Sequence, residues 1–220
     1  MARQFDGVDD RVAVTDPARW DFGLNPFTVM VWSRTNGDIA SKPIVMKDNF
    51  AGNSAGFYLY YQSERNAAYW NGTVVTSITA ANERWNHIAI IRTDTGTTGT
   101  RAYYNGSAAV QFQENRNLTN PLNVTFASAA DGTFSAVRLA HVTGWNRALS
   151  SDEIISCMRR PASVHKEALI GYWPLYGGSP EADWSGNRYD GTLTGTTVPE
   201  DNPGVNEPWM VPVPMGMQAL

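Results

Sequence analysis

Trp85-Asn86-His87-Ile88-Ala89, then Tyr104-Asn105-Gly106, then Trp145-Asn146-Arg147-Ala148-Leu149-Ser150 running into Glu153-Ile154, follow in fixed order along this 220-residue chain. Each phrase has a structural job in an antiparallel sandwich. The first opens a strand that stays apolar through Ile91. The second offers an Asn-Gly pair, which suits a two-residue hairpin turn because both central residues need positive φ. The third closes a strand and starts a helix. Ser150 can cap that helix while Glu153 reaches back, a Ser-x-x-Glu capping box. Ile154, Cys157 and Met158 then share a face at helical spacing, and Pro161 stops the helix. None of the three phrases has an obvious chemical job.

Outward from these phrases, short β-branched and aromatic runs recur between Gly, Asn and Pro punctuation, predicting strands over 11–15, 27–34, 44–47, 56–62, 67–70, 74–79, 85–92, 102–104, 109–113, 124–128, 136–145 and 169–174. Met1 to Phe5 leads into a further strand. Asn-Gly pairs also stand at 36–37 and 71–72. Residues 27–32 and 88–91 are apolar at nearly every position, which marks central strands covered on both faces. From 197 onward the character changes: five prolines, at 199, 203, 208, 212 and 214, stand among Trp209, Met210, Met215 and Met217. Proline at this density excludes helix and interior strand. Apolar residues on an extended arm suggest a segment that lies on another surface.

Hydrophobic residues make up 42% of the chain and aromatics 11%, enough for a sizeable core and against intrinsic disorder. A net charge of −4 with scattered Arg and Lys argues against a nucleic-acid footprint, which needs a basic stripe. The single Cys157 cannot form an internal disulfide. Asn-x-Ser/Thr sequons at Asn71, Asn105, Asn117 and Asn123 are read as accidents of a Thr- and Asn-rich β-protein, because residues 1–5 show no apolar signal core. No apolar run approaches membrane-spanning length.

Candidate chemistry is sparse. Glycoside hydrolysis needs two facing carboxylates, about 5 Å or about 6.5–9.5 Å apart. The close acidic pairs, Asp9-Asp10, Asp152-Glu153 and the spaced Asp183 and Asp190, fall at turns or a helix start, where carboxylates cap backbone donors. Gly52-Asn53-Ser54-Ala55-Gly56 matches a nucleophile-elbow pattern but precedes a strand, not a helix, and reads as a loop. His87, His141 and His165 share no metal-ligand spacing; the first two sit in apolar strands as structural imidazoles. The 183–190 stretch packs oxygen-bearing side chains into a turn that suits calcium, although Asx turns use the same residues without a metal. No catalytic residue and no cofactor other than this calcium is assigned. Trp32, Trp85, Trp145 and Trp173 sit in strand patterns and are assigned to the core. Trp70, Trp184 and Trp209 are candidates for exposure.

The ordered phrases, with Phe5-Asp6-Gly7-Val8-Asp9-Asp10, resemble the laminin-G-like, concanavalin-A-like jelly-roll family over about 150 residues. Gly171-Tyr172-Trp173-Pro174-Leu175 and the stretch from Asp183 to Gly191 also resemble this family, in which such a stretch usually precedes the Phe-Asp-Gly phrase. Here it follows the helix, as expected of a shifted domain boundary in a fold whose termini lie close together. Where relatives often carry Ile-Asp-Asp/Glu-Val, this chain reads Leu139-Ala140-His141-Val142, so a metal-linked role of that acid does not carry over. The Ala-His form is similar to versions in virion proteins of tailed phages.

The expectation is an all-β, antiparallel two-sheet jelly-roll sandwich over 1–196, with one short helix and an extended arm over 197–220. The functional expectation is a non-catalytic structural or decoration protein of a virus particle, made in a host cytoplasm. It would dock on other virion proteins or on copies of itself through Trp209, Met210, Val211, Met215 and Met217. The alternative is a carbohydrate-binding adhesion module that grips surface glycans through Trp70 and Trp184, with calcium assisting. A glycoside hydrolase is disfavoured for want of a carboxylate pair.

Overall fold

Alternation along the strands sorts the side chains into an inner and an outer set, and two antiparallel sheets close over the inner one. A computed structural model describes residues 2–15, 17–35, 42–48, 56–63, 66–70, 75–79, 83–161, 165–195 and 201–204. The strands are β1 (Arg3–Asp6), β2 (Arg11–Val14), β3 (Phe27–Thr35), β4 (Lys42–Lys47), β5 (Phe57–Ser63), β6 (Asn66–Trp70), β7 (Val75–Thr79), β8 (Asn86–Arg92), β9 (Thr100–Tyr104), β10 (Ser107–Phe112), β11 (Val124–Phe126), β12 (Ala136–Trp145), β13 (Leu169–Trp173) and β14 (Gly191–Thr194). A 3-10 turn spans Pro17–Trp20, and the helix α1 spans Ser151–Arg159. The first sheet runs β1-β12-β3-β8-β9-β10, with β13 also on β12; the second runs β14-β2-β11-β4-β5-β6-β7.

Inward residues of both sheets form one core that includes Phe5, Val12, Phe27, Val29, Val31, Leu59, Ile88, Ile90, Phe126, Leu139 and Trp173. Burying each such side chain contributes roughly 1.5–3 kcal/mol. Phe22 stacks on Phe27 at 4.3 Å, and Phe57 meets Phe27 edge-on at 5.9 Å. Arg92 is buried among them. Its guanidinium lies over the Phe27 ring and donates to the carbonyls of Gly23, Asn25 and Arg116, so the charge is never left unpaired.

The helix explains why β3 and β8 are apolar on both faces. Ile154 and Cys157 pack on Met30, Ala89, Ile91, Tyr103 and Trp145, the outward residues of the first sheet. Its start is the expected capping box, with Glu153 N donating to Ser150 Oγ and Ser150 N donating to Glu153 Oε2. Arg147 clamps Glu153 through two hydrogen bonds and holds its carboxyl down at about 2. Trp145 and Trp173 are core as expected, whereas Trp32 and Trp85 are only half-buried. Trp32 faces outward on β3, and its Nε1 donates to Met158 O at the end of the helix.

The opening phrases turn out to be partners. Asn105 Oδ1 accepts from His87 N at 2.8 Å, Asn105 N donates to His87 O, and the Tyr104 hydroxyl donates to Asn86. Asn105 and Gly106 both have positive φ, the geometry that the Asn-Gly turn demands. The pairs at 36–37 and 71–72 lie outside the described residues, as do 51–55 of the nucleophile-like loop.

Two features lay beyond the strand patterns. The partner strand β3 meets a bulge in β12 between Ala140 and Thr143, where His141 takes φ +52°. Val137 and Leu139 point inward before the bulge and Val142 after it, so one extra residue shifts the alternation by one. The second feature is how β12 uses its other edge. Residues 136–139 pair with β1 and residues 142–145 with β13, placing the two short strands end to end. A buried Arg3–Glu181 ion pair at 2.6 Å ties the first strand to the segment after β13.

Candidate functional site

The outer face of the second sheet carries a row of residues that face each other across five strands: Thr192, Ala13, Thr125, Met46 and Tyr58. They share a face because the flanking Val12, Val14, Phe126, Val45, Phe57 and Leu59 all point into the core. Ala129 folds over Met46, Tyr58 and Tyr60 and buries that half of the row. Burial, with Asp48 nearby, raises the Tyr58 hydroxyl far above its ordinary range. The other half stays open. There a cleft of about 300 Å³ is floored by Arg11, Ala13 and Thr125 and walled by 121–123 and 128–130.

Its volume lies at the lower end of ligand sites, about 300–1,000 Å³. Its lining mixes apolar Pro121, Leu122 and Ala129 with hydrogen-bonding groups. Ser128 is fully buried, and its Oγ has no hydrogen-bond partner among the described residues. Thr125 Oγ1 donates to Ser128 O at 2.5 Å, fixing the wall to the floor. Arg11 and Asn123 are exposed at the mouth. Sequence reasoning missed this cleft, since it joins β2, β11 and two loops that no motif marks.

On the opposite side of the sandwich stands the expected Trp184. It is 46% exposed and is held edge-on against Tyr172 and Tyr176, at ring centroid distances of 6.2 and 5.7 Å. His141 Nδ1 lies 3.0 Å from the Tyr172 hydroxyl beneath them. Burial pushes the imidazoles of His141 and His87 down to about 3; His141 is hydrogen-bonded as expected, whereas His87 Nδ1 has no partner among the described residues. Trp70 closes β6, where it pairs with Val75. Trp209, Met210, Val211, Met215 and Met217 lie outside the described residues.

The 183–190 turn does not fit calcium. Asp183 Oδ1 accepts from Tyr172 N and Ser185 N, and Oδ2 accepts from Ser185 Oγ and Tyr189 N. A carboxylate offers about four acceptor sites, and these four bonds fill them. Asp190 Oδ1 in turn accepts from Asp183 N. Among the described residues Asp6, Asp9 and Asp10 come nearest to a cation-ligand set, with carboxylate oxygens within 4.8 Å of one another. Yet Asp10 Oδ2 accepts from Asp6 N and Asp6 Oδ1 from Val8 N, the work of a turn.

A family model described as the concanavalin A-like lectin/glucanases superfamily, of laminin-G type, matches residues 6–155. The chain belongs to this family. No curated protein matches it. Among solved structures it is similar to a "putative carbohydrate binding protein" from Bacteroides ovatus, with a TM-score of 0.69 and 15% identity over 94% of this chain. It is also similar to a Trypanosoma rangeli sialidase (TM-score 0.53, 17% identity, 70% of this chain). A heptameric SAP-like pentraxin from Limulus polyphemus gives a TM-score of 0.51 at 13% identity, over 71% of this chain and 80% of that one. The chain spans 62% of the length of the first and 26% of the sialidase. At these identities the likeness is one of fold.

Proposed function

We propose that the protein is a carbohydrate-binding module and that a sugar sits in the cleft on the outer face of the second sheet. The observation that carries this reading is the make-up of the cleft, where apolar Pro121, Leu122 and Ala129 stand beside the exposed side chains of Arg11 and Asn123, a mixture that suits the apolar faces and hydroxyls of a sugar. A sugar hydroxyl, both donor and acceptor, is suited to pair with the Asn123 amide and the Arg11 guanidinium at the mouth. The family, and the likeness to the Bacteroides ovatus "putative carbohydrate binding protein", agree with this reading. The module is read as non-catalytic: the described lining holds no carboxylate, and the acids gathered elsewhere hold turns. These observations favour carbohydrate binding over assembly into a virus particle, whose contact residues lie outside the described part of the chain.

A second contact surface is favoured by Trp184, whose exposed ring stands on a fixed aromatic base and offers a platform for stacking a sugar ring. A glycan-array screen of the chain with Ala13→Trp and Trp184→Ala tests both. Binding lost in Ala13→Trp places the site in the cleft. Binding lost only in Trp184→Ala moves it to the aromatic shelf, and an array silent with the wild type refutes the reading.

A further inference from the structure

Among the described residues, Arg11 is the one ionisable residue in the lining of the cleft. It is exposed at the end of β2, where its cross-strand partner is Thr194 of β14, and it makes no ion pair or side-chain hydrogen bond among the described residues. Exposed Arg84, Arg101, Arg159 and Arg188 are likewise without an ion pair among the described residues, but none of them lines the cleft; other arginines are occupied. Arg3 holds Glu181, Arg34 and Arg138 hold Asp201, Arg116 holds Glu114, and Arg147 holds Glu153. Carboxylates stand close in sequence at Asp9 and Asp10, but they do not claim the guanidinium. Asp10 is buried, accepts from Asp6 N and lies against Gly195.

A guanidinium without a partner over a cleft whose described lining holds no carboxylate matches one ligand chemistry. Its planar fork pairs with a carboxylate or a sulfate through two parallel charge-assisted hydrogen bonds, whereas a neutral sugar hydroxyl offers it a single weaker one. Building on the cleft reading above, we infer that the saccharide bound there is anionic and that Arg11 is the residue that selects it. The protein as a whole carries −4, so the selection is local, from one cation at the mouth, and not from the overall field.

The test is a panel of matched glycans: sialylated, uronate-containing and sulfated saccharides, each beside its unsubstituted neutral parent. Binding is followed by calorimetry with the wild type, Arg11→Gln, Arg11→Lys and Ala13→Trp, and circular dichroism confirms that each variant is folded. The expected result is that an acidic member binds at least about tenfold more tightly than its parent, as a charge-assisted bond implies. Arg11→Gln should erase that preference, Arg11→Lys should keep part of it, and raising the salt should weaken it. Which acidic member binds distinguishes a carboxylate from a sulfate. Neutral parents that bind as well as their acidic partners, with binding still lost in Ala13→Trp, would overturn the inference and leave the cleft standing. Binding indifferent to Ala13→Trp, or none at all, would overturn both.

Discussion

Lowering the pH should unfold this sandwich through two histidines that have nowhere to place a charge. His87 and His141 are each 2% exposed, and burial lowers their imidazoles from 6.5 to about 3. Between those values the unfolded chain binds a proton at each site and the folded chain does not, so stability rises with pH across this window and is lost as pH falls. At about pH 5 each histidine removes about 2 kcal/mol relative to pH 8, about 4 kcal/mol for the pair. That is a large share of a typical 5–15 kcal/mol (roughly) for a domain. Asp10 and Glu181 act with the opposite sign, because desolvation raises their carboxyls and acid then favours the folded form. The wild-type curve is therefore a sum, and the histidine part is read by difference. Urea midpoints measured from about pH 8 to pH 5 should fall steeply for the wild type, less for His87→Gln or His141→Gln, and least for the double variant. If wild type and double variant run parallel, the reasoning is refuted.

Gly171→Ala should be costly for a different reason: its Cβ would lie 2.1 Å from the ring of Trp173, itself fully buried, and overpacking costs about 1–3 kcal/mol or more. A thermal midpoint unchanged within error would show that the ring can move. Asp183→Asn converts an acceptor of two hydrogen bonds into a donor beside Ser185 Oγ and Tyr189 N, so a loss of about 1–3 kcal/mol is expected in chemical denaturation. For the same loop, millimolar calcium should leave the wild-type midpoint unmoved; a clear upward shift would mean that Asp183 trades its hydrogen bonds for an ion.

Local chemistry made most of the fold legible. The runs over 27–32 and 88–91 announced strands covered on both faces, Asn105-Gly106 announced a turn that only positive φ satisfies, and Ser150 with Glu153 announced a helix start. What could not be read depends on neighbours distant in sequence. The strand Gly191–Thr194 has one apolar residue facing the core and no periodic signal; only the edge of β2 makes it a strand. The bulge at His141 is a single residue whose left-handed turn shows in no pattern. Trp32 reads like its apolar neighbours, yet it faces outward and its indole is tied to the helix end. The cleft was hidden most completely. Arg11, Asn123 and Ser128 meet only because β11 lies beside β2, and whether Arg11 has a partner is a fact of three dimensions.

The long strand β12 carries the first strand and the strand after the helix end to end along one edge, and β14 runs beside β2. Topologically this is a ring with a nick in it. Where the nick falls decides which strand is counted first and which last, but it changes no hydrogen bond in either sheet.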